Sequence, residues 1–412
     1  MSEKWVKSAR VIGAKRLASP RVFSFPLAVN FLDPIAAALA GLSLALGLWQ
    51  WVAARRFPLH RRAAADGFAP GISILKPLKG GDETTADSLR TWFQQDYPGK
   101  IQILFGVAEA GDPVCAMVRQ LLAEHPDRDA QLVVCEKLEG ANAKAAKLAC
   151  LEKLAKYDLI LVSDADVRAP ADLLANLAAT LVRPSEEIGL VCCFYRLGNP
   201  TTAAMRWEAV AVNADFWSQV LQSQTLKRLD FALGAAMLVR RPVLGEIGGF
   251  GALADCLADD YQLGNRIARR GYRIGLCPVV VECCDAPMGW REVWRHQLRW
   301  ARTIRVSRPA PYFFSILSNV TLWGLLWLAL SAASAKTVCA PLSAVVILLV
   351  RMALARDLQR RFTPERHLVS PFWMTPVKDL LQAALWAGAF LGNTVEWRGR
   401  RMRLGRDGKI YD

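Results

Sequence analysis

Histidine is scarce in this chain, four in 412 residues, and none of its ten cysteines stands in a C-x-x-C pair. The spacings of thiolate-based metal sites are therefore absent. Cys192-Cys193 and Cys283-Cys284 are adjacent doublets. Neighbouring side chains on a strand point to opposite faces, which disfavours a disulfide framework and predicts free, buried thiols in a reducing compartment. The first 30 residues carry Lys4, Lys7, Arg10, Lys15, Arg16 and Arg21, but no cleavage signal follows, so they do not read as a secretory peptide. A basic excess is also missing where a nucleic-acid surface would need it. The formal charge is +15, yet residues 63–290 hold 23 Lys+Arg against 28 Asp+Glu, and the rest of the chain holds 29 against 9. All the surplus lies beside apolar segments. Such flanking charge marks a cytoplasmic membrane face, where anionic lipid attracts each basic residue by about 1 kcal/mol. A nucleic-acid partner is excluded on this distribution.

Long apolar runs are plentiful. The apolar share is 53% and mean hydropathy is positive, high for a soluble protein. After the basic tail (1–30), residues 31–55 contain a run long enough to cross a bilayer, with Trp49 and Trp51 at its interfacial end and Arg55, Arg56, Arg61 and Arg62 beyond. Residues 311–355 hold two further spans around a short turn at Lys336, a membrane hairpin. A third segment over 374–396 either crosses or re-enters. If it crosses, the basic tail at 397–412 is left opposite the rest, against the positive-inside tendency.

Between these lies an α/β pattern over 63–290. Strands are predicted at Ile72–Leu75, Ile101–Val107, Leu132–Cys135, Leu159–Val162 and Ile188–Phe194, with helical periodicity between them, so the sheet is expected to be largely parallel. The fourth strand runs straight into Asp164-Ala165-Asp166. Ligands gather at the carboxyl ends of strands in such sheets. Two carboxylates there, on one side of an extended backbone, suit a hard divalent cation that also holds substrate phosphates. A paired aspartate can equally cap the helix that starts near Asp172.

Four other features accompany the pair. Asp112, after the second strand, suits a nucleobase or ribose hydroxyl, or simply starts the Asp-Pro turn. Lys76 after the first strand and Lys144 at a helix start offer point charges to phosphates, or are solvated surface lysines. Asp259-Asp260 opens another helix; like-charge repulsion would raise one carboxyl toward the range of a general base. Residues 291–308 form an amphipathic helix, with Trp294, Leu298, Ala301 and Ile304 opposite Arg291, Arg295, Arg299 and Arg302, expected to lie in the membrane interface. At its centre stands His296-Gln297-Leu298-Arg299-Trp300.

The order K-P-L-K-G, D-P, D-x-D, D-D-Y and R-W between membrane segments resembles the ceramide glucosyltransferases and their bacterial relatives. These are membrane-bound, inverting glycosyltransferases of the GT-A fold. The likeness covers roughly residues 70–310 and extends loosely to Trp397-Arg398-Gly399-Arg400. It implies a GT-A, Rossmann-like, mostly parallel catalytic domain with flanking transmembrane helices and an interfacial helix. It implies Asp112 and Asp164 on the UDP-sugar donor, Asp166 as a ligand of Mg2+ or Mn2+ with Asp164, and Asp260 as catalytic base. Arg299 and Trp300 fall near the diphosphate and the acceptor, with Asp259 on the acceptor side. His296 stands where that family usually has Gln or Arg, so its role at the acceptor side is left open; the D-A-D site, where ceramide enzymes often have D-S-G, leaves the strictness of the metal requirement open too.

The resemblance further implies sugar transfer, glucose foremost, from a UDP-sugar to ceramide with inversion, by an integral membrane protein of the bacterial inner membrane whose catalytic domain faces the cytoplasm. A sister reading is transfer of N-acetylglucosamine to a hopanoid. A processive polysaccharide synthase fits less well, because three or four membrane segments leave little material for a polymer channel. A non-catalytic membrane scaffold is the rival from another class. A glycosidase would need neither D-x-D nor a nucleotide site.

Overall fold

Ile72–Pro77 (β1) is buried along its whole length, Ser73 and Lys76 included, as expected of a strand covered on both faces. It pairs in parallel with Ile101–Val107 (β2), which in turn pairs with Asp129–Val134 (β3) at the edge; on its other side lies Leu159–Ser163 (β4), also parallel. Val167–Arg168 (β5), Ile188–Leu197 (β6), Ala236–Arg240 (β7) and Arg273–Cys283 (β8) complete an eight-stranded sheet of order β3-β2-β1-β4-β7-β6-β8-β5. The sheet comes from a computed structural model that describes residues 25–63, 69–182, 187–334, 339–397, 400–405 and 407–411. The basic N-terminal lysines and arginines, Lys336, Arg398 and Arg406 lie outside the described residues.

Strands β7 and β8 are absent from the sequence reading. The five residues of β7 run antiparallel between β4 and β6, and β8 is interrupted by register shifts against β6, so neither shows a clean period. The predicted parallel sheet is thus mostly parallel with an antiparallel strand at its middle.

Alternation sorts the side chains into two layers. Ile74, Ile103, Leu161 and Leu238 face Thr85–Phe93 (α2), Val114–Glu124 (α3) and Leu173–Leu181 (α5). Leu75, Leu104, Ile160 and Val162 face the other way. There they meet Leu148 and Leu151 from a helix over Ala143–Glu152 (α4) and Leu263 and Ile267 from one over Asp259–Arg269. Phe362, from Cys339–Phe362, joins this second layer and stacks on Trp217 at 4.8 Å. A membrane-side helix therefore seals the core of the sheet domain.

Further helices are Ala203–Val210 (α6), Trp217–Leu226 (α7), Arg241–Glu246 (α8), Asp259–Arg269 (α9), Trp290–Ser307 (α10), Pro309–Phe314 (α11), Val320–Ser334 (α12), Cys339–Phe362 (α13) and Met374–Ala389 (α14), with α1 at Phe25–Arg56. A π-helical turn, Ala211–Phe216, joins α6 to α7. Among the described residues two helices are long and apolar enough to cross a membrane, Phe31–Arg56 and Cys339–Phe362; the helical stretch Pro309–Ser318 and α12, meeting at a 49° bend, make a third if they form one span. Arg351 of α13 bonds Asp215 of the π-turn and Asp379 of α14, both at 2.8 Å, and Lys378 reaches the same two acids. This buried four-charge cluster ties the membrane helices to the sheet domain.

The carboxyl end carries more regular structure than its sequence alone indicates. Helix α14 has only 16 residues and buries Lys378 and Asp379. The chain after it stays beside the sheet domain. Thr394–Trp397 (β9), Arg400–Leu404 (β10) and Ile410–Tyr411 (β11) form a small antiparallel sheet rather than a basic tail. Alternation explains it: Met402 and Leu404 point inward onto Leu257 and Val395 while Arg401 and Arg403 point out. The Ile410 amide donates to the Asp255 carbonyl at 2.8 Å, locking the small sheet onto the loop before α9. All ten cysteines are free, and seven are buried.

Candidate active site

Strand β4 ends at Ser163 and the chain turns at once: the Val167 amide donates to the Asp164 carbonyl at 3.4 Å. Asp164 and Asp166 therefore flank a tight turn, not the extended backbone expected. Asp166 is set by the pairing of β5 with β8, where the Cys284 amide donates to its carbonyl at 2.9 Å. Burial, then the charges of Asp164 and Asp285, push the Asp166 carboxyl up to about 7. A carboxylate so crowded by other carboxylates favours a cation beside it.

Lys144 supplies one positive charge. Asn142 caps α4, its Oδ1 accepting from the Lys144 and Ala145 amides, while its Nδ2 donates to the Cys256 carbonyl at 2.7 Å. That cap aims Lys144 at Asp164 (2.7 Å) and Asp259 (3.1 Å). Burial works against the ammonium, but Asp164, Asp259 and Asp260 more than offset it and hold its pKa above the usual lysine range. Lysine at this position thus joins the D-x-D to the D-D pair.

Asp260 lies in the first turn of α9 and accepts from the Tyr261 amide at 2.7 Å. Its carboxyl is pushed up to about 6, first by burial and then by Asp259, with Lys144 opposing. The carboxylate lies flush against Gly234, where a Cβ would stand 2.6 Å from its Oδ2. Two elements distant in sequence thus shape one acidic wall.

Asp112 and Lys76 are both held by neighbouring protein groups. The Asp112 carboxylate accepts from the Gly80 amide at 3.0 Å and the Val114 amide at 3.0 Å, so its observed bonds are those of a turn and helix cap. Lys76 has no exposed surface; its Nζ donates to Ser163 Oγ at 3.2 Å and to the Asp164 carbonyl, over the Trp92 ring. Burial lowers it to about 7 despite Asp166 and Asp164. It braces the strand end from beneath, with its ammonium directed at Ser163 and the Asp164 carbonyl.

Helix α10 lies along the cleft. The Trp300 ring stands edge-on to His296 at 4.5 Å and to Tyr195 at 6.3 Å, and the Arg299 guanidinium lies over Trp397 of β9 at 6.0 Å. Asp285 and Glu208 carry no motif and were missed in the sequence. Asp285 is raised by burial, with His296 opposing and Glu208, Asp82 and Asp164 adding. It links the acidic wall to α10.

A metal fits the donor set only in part through protein atoms. Asp164 and Asp166 are hard oxygen donors in a carboxylate-rich cleft. Among the described residues no group of three or more His, Cys, Asp or Glu is placed to hold an ion. A bound cation would therefore draw its other ligands from substrate oxygens and water.

The model of Glycosyl transferase family 21 matches residues 35–410, nearly the whole chain. The chain belongs to that family. The match spans the membrane helices and the small terminal sheet as well as the sheet domain. Ceramide glucosyltransferase 3 of Caenorhabditis elegans is 27% identical over 224 residues, 53% of this chain and 47% of that protein. The ceramide glucosyltransferase of Candida albicans is 34% identical over 122 residues, 27% of this chain and 22% of that one. The chain thus spans under half the length of either relative. A mannosyltransferase of Pyrobaculum calidifontis, solved with GDP-Man and Mn2+, has a TM-score of 0.50 at 22% identity, covering 86% of this chain and 99% of that chain. The fold of this family 21 member is GT-A.

Proposed function

We propose that this glycosyltransferase moves a sugar, glucose foremost, from a UDP-sugar to a hydroxyl of a membrane lipid of the ceramide class, with inversion. One observation carries the reading: Asp260, held near pKa 6, shares a cleft with Asp164 and Asp166 beneath an amphipathic helix that continues into the membrane segments. A carboxylate of that affinity is ionised at neutral pH yet still takes a proton readily. The lipid hydroxyl attacks the anomeric carbon, its proton passes to Asp260, and the bond to the diphosphate breaks with its electron pair leaving on UDP. Inversion from an α-linked donor gives a β-glycoside.

Asp112 and Asp164 serve the donor's nucleoside end and diphosphate, Lys144 and Arg299 its negative charge, and Trp300 with Asp259 and His296 the acceptor side. Mg2+ or Mn2+ held by Asp164 and Asp166 would neutralise charge developing on the diphosphate. Nucleotide sugars are cytosolic, so the cleft faces the cytoplasm, in a bacterial inner membrane. Exposed Phe313, Phe314, Phe372 and Trp373 supply aromatic rings suited to the interface.

Membranes bearing the protein, given labelled UDP-glucose or UDP-N-acetylglucosamine with ceramide or a hopanoid polyol, test the reading. Labelled glucosyl-ceramide supports it. N-acetylglucosamine on the hopanoid replaces donor and acceptor but keeps the chemistry. No labelled lipid, with no metal-dependent UDP binding, leaves a scaffold.

A further inference from the structure

One fully buried carboxylate has no part in the chemistry above. Glu208 on α6 has no exposed surface. Its Oε1 accepts from Gln297 Nε2 at 2.7 Å and lies 2.7 Å from His296 Nδ1. Its Oε2 is buried without a hydrogen-bond partner. Burying a carboxylate beneath a helix costs several kcal/mol unless its partners compensate fully, so packing alone is a poor reason for it. A carboxylate only accepts, so the imidazole Nδ1 carries the proton in that bond. That bond leaves Nε2 as the ring nitrogen facing outward, and in the singly protonated ring it is a hydrogen-bond acceptor. The ring is one quarter exposed and is braced by Trp300. Trp300 in turn stands edge-on to Tyr195 of β6 at 6.3 Å, which places the imidazole where α10 meets the sheet.

We propose that Glu208 and His296 form a positioning dyad for the lipid acceptor, in which Glu208 fixes the imidazole tautomer and His296 Nε2 accepts a hydrogen bond from a second donor group of the lipid head. The inference rests on the transferase reading and deepens it. Asp260, on α9, takes the proton of the attacking hydroxyl, so an acceptor atom on α10 calls for another O–H or N–H close to that hydroxyl. The preferred lipids are then diols, polyols or amido-alcohols, and simple long-chain alcohols are poor acceptors.

The test uses purified full-length protein with UDP-glucose and a short-chain ceramide. E208Q lets either face of the amide meet Nδ1, so the tautomer is no longer enforced; H296A removes the acceptor atom. Each is expected to raise the acceptor KM about tenfold, the worth of one hydrogen bond, with the donor KM unchanged. The double variant should be no worse than H296A, because Glu208 acts through the imidazole. Q297L removes the other bond to Glu208 and should lower Tm without moving the acceptor KM. An unchanged acceptor KM in H296A overturns the dyad, and H296A reports this even where E208Q fails to fold. Additive losses in the double variant overturn it too. Wild-type protein that labels no lipid from any donor removes the transferase reading, and the dyad with it.

Discussion

Replacing the proposed base should make the protein more stable while it stops transfer. In the fold Asp260 binds its proton with a pKa of about 6 rather than 3.8. The sign follows from linkage: the folded chain holds a proton that the unfolded chain releases, so stability falls as pH rises between these values and the full cost is present above pH 6. Two pKa units correspond to about 3 kcal/mol. Asp260 opens partly onto the cleft, and Asn keeps the bond from the Tyr261 amide, so D260N should recover roughly 1–2 kcal/mol of that cost. This raises Tm by roughly 2–4 °C at pH 7.5 and by next to nothing near pH 3, where both states are protonated. The same variant should lose roughly 10²–10⁴-fold in transfer rate, the usual worth of a general base. Differential scanning fluorimetry in detergent at both pH values, run beside a transfer assay, reads both effects. A lower Tm at pH 7.5, or turnover near wild type, refutes the assignment of strain and chemistry to this carboxylate.

Transfer should rise through about pH 6 as Asp260 loses its proton, and a pH–rate profile flat from 5 to 8 would contradict this. D166N should raise the half-saturating Mn2+ concentration for UDP binding at least about tenfold, since it removes one of two protein ligands; titration calorimetry measures it, and an unchanged value sinks the metal assignment. G264A should cost roughly 3 kcal/mol or more, because the added Cβ would stand 2.2 Å from the Ala232 backbone nitrogen in a packed interior; a wild-type Tm would show that α9 can shift freely. R351L should destabilise by roughly 3–5 kcal/mol by leaving Asp215 and Asp379 undercompensated, seen as a fall in Tm that a D379N partner substitution partly restores; no change in Tm would show that the cluster does not hold the junction.

Much of the architecture was legible because local pattern and tertiary role agree there. The largely apolar runs of β1, β2 and β4 admit little else than buried strands, and Asp164, Asp166, Asp259 and Asp260 sit at or just beyond the ends of such elements. Illegibility began where partners are far apart in sequence. β7 is five residues long and takes its direction from β4 and β6, so its own sequence carries no sign of running antiparallel. The arginine-rich end alternates correctly for a strand, yet its charge mimics a membrane-flanking tail. The burial of Lys76 is equally invisible in sequence, where a lysine near a strand end reads as exposed, while in space it lies within β1 under Ser163 and Asp164. Gly234 and Glu208 acquire meaning only through neighbours 25 or more residues away, Gly234 against Asp260 and Glu208 against His296.

The most direct measurement is the anomeric configuration of the lipid product. Purified protein with UDP-[13C]glucose, divalent metal and ceramide should yield a lipid whose anomeric proton shows the large coupling of a β-glucoside, formed in a single displacement. An α-linked glucosyl lipid would contradict direct attack assisted by Asp260, and free glucose with no lipid product would contradict the membrane acceptor itself.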